Sequence, residues 1–286
     1  MAISYDKLLA LKIPSVRQSY SASDVILYAL GVGVGADAND TSALPFIYEA
    51  HLRVLPTLAV VLAQPGQWLR DLDTGVDYRH VLHGEQRLAL HAPLPAGGEV
   101  IGHTRIVDVI DKGAGRGALL LSERTIHDAA SGELLATVGH TAVCRADGGF
   151  GGPARSAPRP HEMPSREPDA TYTVPTTAQA AFLYRLSADL NPLHVDPTIA
   201  RTAGFARPIL HGLATYGATG YALLKAICGS EPARMHSIDC RFTAPAYAGD
   251  TFATDIWIDG NVAAFRTRAV ERDVVVISNG RCVFSR

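Results

Sequence analysis

The sequence lacks the features that mark membrane proteins, secreted proteins and proteins that bind nucleic acid through bulk charge. Its longest apolar run, around residues 58–63, is far shorter than the roughly 20 residues that span a bilayer. The apolar patch at the N-terminus has neither a basic segment before it nor a small-residue cleavage site, unlike a signal peptide. The formal net charge is only −2, which does not predict nucleic-acid binding. We therefore expect a cytoplasmic globular protein with neither a membrane nor a nucleic acid as partner.

Metal-binding and redox spacings are also missing. The four cysteines include no C-x-x-C pair, which favours free thiols in a reducing compartment. Five histidines lie on predicted strands without shared ligand spacing and are interpreted as surface or packing residues: His83, His91, His103, His127 and His140. Gly31, Gly33 and Gly35 alternate as in a nucleotide-binding loop, but no amphipathic helix follows them. We predict no metal and no cofactor.

What the sequence does contain is two similar halves. Residues 146–170 are dense in glycine, proline and serine, which is typical of a linker. The predicted division is an N-terminal half at 1–145, the linker at 146–170, and a C-terminal half at 171–286.

The two halves also align in detail. Residues 88–100 and 240–252 share the pattern Ala-Pro-x-x-Ala-Gly. Two earlier pairs of segments match at nearly the same offset, namely 26–35 with 182–191 and 54–59 with 209–214. Three matches in the same order indicate an internal duplication.

Each half has helical segments first and four predicted strands afterwards. Residues 177–189 predict a helix that carries Asp189, and residues 212–228 predict a longer helix that is apolar all round and therefore buried. One long buried helix wrapped by an antiparallel sheet is the simplest layered arrangement, and two such units can share a continuous sheet. The predicted class is α+β, with a long central helix in each repeat.

The residues suited to catalysis are concentrated between 186 and 197. The helix that carries Asp189 must stop near Asn191-Pro192, because residues before proline avoid the helical region. His194 follows the bend, so a carboxylate and an imidazole can converge on one small volume. The Asn191 amide between them adds a donor and an acceptor. Such a trio suits a site that positions water and moves a proton.

The start of the long helix offers a place for developing negative charge. Its first N–H groups have no intrahelical partner and carry the positive end of the helix dipole, and Gly212 has no side chain to block them. A thioester carbonyl placed there would have its enolate charge stabilised as in an oxyanion hole.

These segments resemble the signatures of one enzyme family. The hydratase 2 motif of MaoC-like enzymes is similar to YRLSADLNPLHVD at 184–196, and their second signature is similar to PILHG at 208–212. Residues 26–33 and 46–49 are similar to the first half of these enzymes, so the resemblance spans nearly the whole chain. It implies a double hotdog fold, with a C-terminal half that carries the site, and a homodimer.

The resemblance implies R-specific, syn hydration of a trans-2-enoyl-CoA to a (3R)-3-hydroxyacyl-CoA in fatty acid metabolism. Asp189 and His194 would be the catalytic pair, Asn191 would orient the pair or its water, and the Gly212 amide would bind the thioester carbonyl. Candidate substrate contacts are Arg207, Pro208 and His211, although Arg207 and His211 also fit structural roles. Ala188 stands where many family members have glycine.

The N-terminal half lacks these groups. Gly33 and Gly35 stand where the C-terminal half has its aspartate and asparagine, and Pro56-Thr57 stands where it has His211-Gly212. Its equivalent of the long helix is cut short before Gln64-Pro65-Gly66. We therefore expect this half to accommodate a medium or long acyl chain.

Other activities remain open from the sequence. One is 3-hydroxyacyl-ACP dehydration in fatty acid synthesis, which a basic rim for the acidic carrier would favour. A second is hydrolysis by a hotdog thioesterase, because one fold hosts several chemistries. A third is non-catalytic binding of an acyl thioester, which a motif broken in both halves would favour.

Overall fold

The computed structural model describes residues 3–153, 155–187 and 189–286. Within them, ten strands form one antiparallel sheet. The strands are β1 (Val16–Tyr20), β2 (Val81–Leu90), β3 (Gly98–Asp111), β4 (Ala118–Asp128), β5 (Leu134–Cys144), β6 (Ala170–Pro175), β7 (Met235–Phe242), β8 (Thr251–Asp259), β9 (Val262–Ala269) and β10 (Val274–Phe284). The helices are α1 (Tyr5–Leu9), α2 (Ala22–Gly31), α3 (Leu44–Ile47), α4 (Trp68–Asp71), α5 (Ala180–Tyr184), α6 (Pro197–Thr202) and α7 (Gly212–Ala226).

The strand order is symmetric about the centre of the sheet. It reads β1-β3-β4-β5-β2-β7-β10-β9-β8-β6, so replacing each strand of the first half by its counterpart in the second reverses the order. The halves meet where β2 pairs with β7, with Gln86 opposite Cys240 and Leu88 opposite Ile238. This is the arrangement that an internal duplication predicts.

The long helix predicted over 212–228 is confirmed as α7. It contacts β6, β7, β8 and β10, and every residue from Ala214 to Leu224 is buried. Glycine at position 217 lets Val32 of the first half approach α7 closely. A Cβ at Gly217 would lie 2.5 Å from Val32 Cγ1. The core therefore forms between this helix and the sheet.

The first half does not have the long central helix predicted for each repeat. Its counterpart of α7 is a 3₁₀ segment, Pro56–Val61, which agrees with the expectation that this helix is cut short before Gln64-Pro65-Gly66. Proline starts this segment, and Ala63 adopts a left-handed conformation with φ of 49° just before Gln64-Pro65-Gly66, so the chain cannot continue as a helix. Arg124 Nη2 donates to the carbonyl of Val60 at 2.8 Å and thereby satisfies one carbonyl at its end.

The predicted helix over 177–189 is much shorter in the structure. α5 begins at Ala180 and ends at Tyr184. Before its start, Thr176 donates its side-chain O–H to the Asp250 carbonyl at 2.7 Å, which holds the preceding chain outside the helix. Because α5 ends at Tyr184, Asp189 lies in the loop after the helix. Ala188, where many family members have glycine, lies outside the described residues.

The linker residues that the structure describes, 146–153 and 155–169, contain no helix or strand. They run along the sheet: the Trp257 indole N–H donates to the Arg166 carbonyl at 2.6 Å, and the Asn279 amide donates to the His161 carbonyl at 2.8 Å. The division of the chain into two halves joined by a linker at residues 146–170 stays a prediction.

All four cysteines are buried and unpaired, as predicted for free thiols. Among the described residues, no helix is long and apolar enough to cross a membrane.

Candidate active site

Two side-chain turns shape the loop between α5 and α6. The Asn191 N–H donates to Asp189 Oδ1 at 2.9 Å, and the Leu193 N–H donates to Asn191 Oδ1 at 3.0 Å. The 3₁₀ turn Pro192–His194 follows directly. Asn191 is exposed, so its observed contacts hold the turn that presents His194.

The structure brings Asp189 and His194 together. His194 Nδ1 lies 2.8 Å from the Ile209 carbonyl, which only accepts, so this nitrogen carries the ring proton. In the neutral ring Nε2 is therefore bare, and it faces Asp189 Oδ2 at 3.7 Å. Burial lowers the pKa of His194, although the hydrogen bond to Ile209 and the Asp189 charge oppose that shift. The pair is set up with an anionic oxygen beside a neutral imidazole.

His211 supports both members of the pair. Its ring stacks on that of His194, with centroids 3.7 Å apart and planes 28° apart. Its Nε2 lies 3.1 Å from the backbone oxygen of Asp189. Burial, and then the neighbouring His194, lower the pKa of His211 to about 4. These contacts within the chain are structural, and a contact between His211 and the substrate stays a prediction.

Gly212 is the first residue of α7, directly after His211. Because the first N–H groups of a helix lack intrahelical partners, its amide is available to donate to a ligand. A Cβ at this position would lie 3.5 Å from the Phe242 ring, an ordinary contact. Packing alone therefore does not require glycine here.

Arg207 and Pro208 lie in the segment that leads to α7. The Arg207 guanidinium lies 4.5 Å from the centre of the Tyr247 ring, and its Nη1 lies 3.4 Å from the Ala248 carbonyl. Arg272 lies on the same tyrosine at 4.8 Å. Arg207 is exposed and Pro208 is half-buried, so the guanidinium is held in place with its charge facing solvent.

Asp189, His194 and His211 each offer a ligand atom within 4.8 Å of the others. The planes of the two imidazole rings are only 28° apart, so the nitrogen lone pairs, which lie in those planes, do not converge on one point between the rings. A zinc site needs ligand atoms that converge on one tetrahedral centre. We assign no metal to this trio, and the absence of a cofactor stays a prediction.

Sequence reasoning missed an aromatic cluster beside Gly212 in which two histidines of the first half pack against Phe242 of the second. The His83 ring lies between His140 and Phe242, with centroid distances of 4.2 and 4.7 Å, and Phe242 faces Gly212. The structure shows His83 and His140 packed against other rings, as predicted for packing residues. Their place beside the site had no sequence signal, since it arises from the pairing of β2 with β7.

The N-terminal half has no room for an equivalent catalytic pair. Gly33 has a φ of 95°, and a Cβ there would lie 2.8 Å from the Pro175 carbonyl. Any side chain at the position that aligns with Asp189 would therefore be strained and would clash.

Comparisons with known proteins show the family to which the chain belongs. Residues 160–280 match the MaoC like domain, and residues 18–146 match the MFE-2 hydratase 2 N-terminal domain. The chain is 40% identical over 279 residues to 3-hydroxyacyl-thioester dehydratase Y of Mycobacterium tuberculosis, covering 96% of this chain and 94% of that protein. It is 37% identical over 286 residues to enoyl-CoA hydratase ChsH3 of the same organism, covering 98% of each.

A solved structure has the same architecture. The MaoC-like dehydratase from Phytophthora capsici superposes with a TM-score of 0.89 at 30% identity, over 99% of this chain and 98% of that one. The chain therefore belongs to the MaoC-like hydratase 2 family and has its double hotdog fold.

Proposed function

We propose that the chain reversibly adds water to a trans-2-enoyl-CoA and forms a (3R)-3-hydroxyacyl-CoA in fatty acid metabolism. The observation that carries the proposal is the pair Asp189 Oδ2 and His194 Nε2, 3.7 Å apart beside the start of α7. A carboxylate and a neutral imidazole at this separation can hold a water molecule and pass protons to and from it.

The reaction requires one proton to leave water and one to reach carbon. In hydration the water oxygen bonds to C3, the π electrons move toward the thioester carbonyl, and C2 then takes a proton. The pair removes one proton and delivers one, so its own proton count is unchanged. Because Asp189 and His194 act from one side of the substrate, both new bonds form on the same face. The acid and base roles are assigned to the pair and not to its individual members.

Negative charge that develops on the thioester oxygen is stabilised at the start of α7. The Gly212 N–H donates to that oxygen, and the dipole of the 15-residue helix adds a favourable field. Asn191 contributes by holding the turn between the two catalytic side chains.

Arg207 is proposed to bind a phosphate of the carrier. Its exposed guanidinium is pre-positioned on Tyr247, and a planar guanidinium suits a phosphate group. Pro208 then leads the chain back to the site, next to Ile209, whose carbonyl binds His194. Coenzyme A is the proposed carrier, and acyl carrier protein is the alternative that an assay distinguishes.

A medium or long acyl chain is proposed to use space that the N-terminal half leaves open where it meets the C-terminal half. A cavity of about 470 Å³ lies beside the start of the 3₁₀ segment and is lined by Leu52, Val54, Pro56, Leu90 and Met235, among others. Its largely apolar walls suit an aliphatic chain. The proposal is supported by the short 3₁₀ segment, which occupies less length than α7.

A homodimer is proposed from an exposed apolar patch close to the catalytic loop. Phe182, Leu186 and Leu190 are 55%, 59% and 64% exposed, which is unusual for three large apolar side chains so close in sequence. Analytical ultracentrifugation of the wild type and of Leu186→Ser tests it, with a shift of the variant toward monomer as the expected result. The cytoplasmic location stays a prediction.

The decisive assay follows the absorbance of the enoyl-thioester band with crotonyl-CoA and trans-2-decenoyl-CoA. We expect the band to disappear without release of thiol, and we expect Asp189→Asn and His194→Ala to slow the reaction by on the order of 10²–10⁴ while remaining folded. Asp196→Asn is the matched control, because Asp196 caps α6 through the Thr198 N–H and should affect stability alone.

Release of thiol would instead establish a thioesterase. Turnover of acyl-ACP and not of acyl-CoA would establish the dehydratase of fatty acid synthesis. No turnover with either carrier would leave a non-catalytic binder and refute the hydratase proposal.

A further inference from the structure

Several buried polar atoms near the catalytic pair lack a direct hydrogen bond among the described residues. Those treated together here are the ring nitrogen Nδ1 of His211 and the hydroxyl oxygens of Tyr184, Tyr28 and Thr57, called the interior polar cluster. Each of these residues is at most 2% exposed. The Tyr28 and Thr57 hydroxyls are close enough to interact, and this contact opposes the rise in the pKa of Tyr28 that burial causes. An unpaired buried polar group costs roughly 1–3 kcal/mol, so His211 Nδ1 and the Tyr184 hydroxyl, which lack such a neighbour among the described residues, indicate that a polar ligand satisfies them.

The cluster begins at the catalytic site. The His211 and Tyr184 rings have centroids 5.0 Å apart, and the Tyr184 and Tyr28 rings have centroids 5.9 Å apart. Tyr28 and Tyr184 occupy corresponding places in α2 and α5, so the duplication brings two copies of one tyrosine into contact, with their ring planes tilted by 52°. One copy touches the ring that supports Asp189 and His194.

The cluster continues along the side of α7 that faces the N-terminal half. A Cβ at Gly217 would lie 2.8 Å from Tyr28 Oη, and a Cβ at Gly220 would lie 3.5 Å from Thr57 Oγ1. Glycine at both positions keeps this side of the helix narrow. The hydroxyl groups therefore lie against a helix surface with no side chain of its own.

The tautomer of His211 determines whether its unpaired nitrogen, Nδ1, is a hydrogen-bond donor or an acceptor. Its Nε2 lies against a backbone carbonyl, which only accepts, so Nε2 carries the proton. In the neutral ring Nδ1 is then an acceptor and requires a donor. Tyr184 contacts the ring, but its hydroxyl makes no direct hydrogen bond to Nδ1 among the described residues. A single water that accepts from Tyr184 and donates to His211 meets both requirements.

We propose that the interior polar cluster holds ordered water, and that Tyr184 and Tyr28 act through this water as positioning residues of the catalytic site. The water donates to His211 Nδ1 and so keeps Nε2 as the donor to the Asp189 carbonyl. It also fixes the plane of the ring that stacks on His194. This inference rests on the proposed hydratase function only for its kinetic consequence.

The charges around the cluster are compatible with this role. The groups that face His211 are His194, Asp189, Arg185 and Tyr184. Burial raises the pKa of Tyr184 well above its usual value, and the nearby Tyr28 and Asp189 raise it further. The tyrosine is therefore a neutral donor at every pH at which the enzyme works.

The first test does not depend on activity. Side-chain ¹⁵N spectra of the whole protein, with histidines labelled, are recorded against pH for the wild type, Tyr184→Phe and Tyr216→Phe. Removing the Tyr184 hydroxyl weakens the donor to neutral His211, so the pKa of His211 should rise by on the order of one unit. Tyr216 is the matched control: it is a buried tyrosine whose O–H already donates to the Ile238 carbonyl at 2.7 Å.

The kinetic test uses the same variants. Tyr184→Phe should lower kcat on the order of tenfold with KM nearly unchanged, the double variant with Tyr28→Phe should lower it further, and Tyr216→Phe should stay within about twofold of wild type. A crystal structure should show water within about 3.2 Å of both His211 Nδ1 and Tyr184 Oη. Identical His211 titration in all three proteins, or a cluster free of water in that crystal, overturns the inference. If the wild type lacks hydratase activity, the titration and the crystal still decide it.

Discussion

His211 lies flat against His194, and the two rings are the most closely stacked pair in the described part of the chain, at 3.7 Å. Two imidazoles at this distance cannot both carry charge without strong repulsion. The protonation of one is therefore coupled to that of the other, and the site keeps both rings neutral near pH 7.

Acid should destabilise the fold. Burial lowers the pKa of His194, and that of His211 falls to about 4, whereas an unfolded chain binds the proton near pH 6.5. Between those values the unfolded state binds more protons, so the stabilisation is complete above about pH 6.5 and is lost as pH falls toward 4. The free energy of unfolding should drop by up to about 1.4 kcal/mol per pH unit for each such histidine.

Urea unfolding at several pH values measures this slope. His211→Gln should flatten it, and His236→Gln, on an exposed position of β7, is the matched control that should not. Equal slopes in wild type and His211→Gln would contradict the assignment of the acid transition to this ring.

Gly212→Ala should separate catalysis from stability. The backbone at Gly212 is helical, and the new methyl group would lie 3.5 Å from the Phe242 ring, so the melting temperature should hardly change. The methyl group would crowd the carbonyl site, and kcat/KM should fall by on the order of 10²-fold. Thermal unfolding and kinetics of the same preparation give both values.

Gly220→Ala is the control for that substitution. It should lower the melting temperature and leave kcat/KM of the folded protein close to wild type. Its Cβ would lie 2.4 Å from Thr57 Cγ2, and overpacking of this kind costs roughly 1–3 kcal/mol. A Gly212→Ala protein that unfolds as easily as Gly220→Ala would argue against a role for the Gly212 amide in binding the carbonyl.

Arg207→Ala should weaken binding of the carrier phosphate. We expect KM for an enoyl-CoA to rise several-fold with kcat unchanged, because the guanidinium is remote from the reacting carbons. The effect should diminish at high salt, as screening weakens exposed charge interactions. Arg201→Ala, an exposed arginine on α6, is the control, and an enoyl thioester of N-acetylcysteamine, which lacks phosphate, should not distinguish the variants.

Leu90→Trp should shorten the preferred acyl chain. Leu90 lines the cavity of about 470 Å³ beside the 3₁₀ segment, and an indole would fill much of it. The rate with trans-2-decenoyl-CoA should fall while that with crotonyl-CoA stays close to wild type. Equal losses with both substrates, or no loss with either, would show that the acyl chain does not use this cavity.

The sequence alone predicts those parts of the site whose residues are close together in the chain. The Asn-Pro turn between Asp189 and His194, and the apolar helix that begins at Gly212, both follow from local rules for proline and for helix ends. The strand-rich halves and their duplication also followed from turn signals and repeated segments.

What the sequence did not reveal depends on residues far apart in the chain. Phe242 reaches His83 only because β7 pairs with β2, and Tyr184 reaches Tyr28 only because α5 packs on α2. The start of α5 was placed too early for a similar reason, since Thr176 bonds to the Asp250 carbonyl in a loop 74 residues away.

The pairing of β2 with β7 joins the two halves at the centre of the sheet and so couples their unfolding. The main core contains residues of both halves, including Phe46 and Leu62 from the first and Tyr216 and Phe265 from the second. Loss of packing in either half would therefore remove contacts that bury the other half in this shared core. The chain should therefore unfold as one cooperative unit, and a single cut in the linker should leave two fragments that stay associated and melt together.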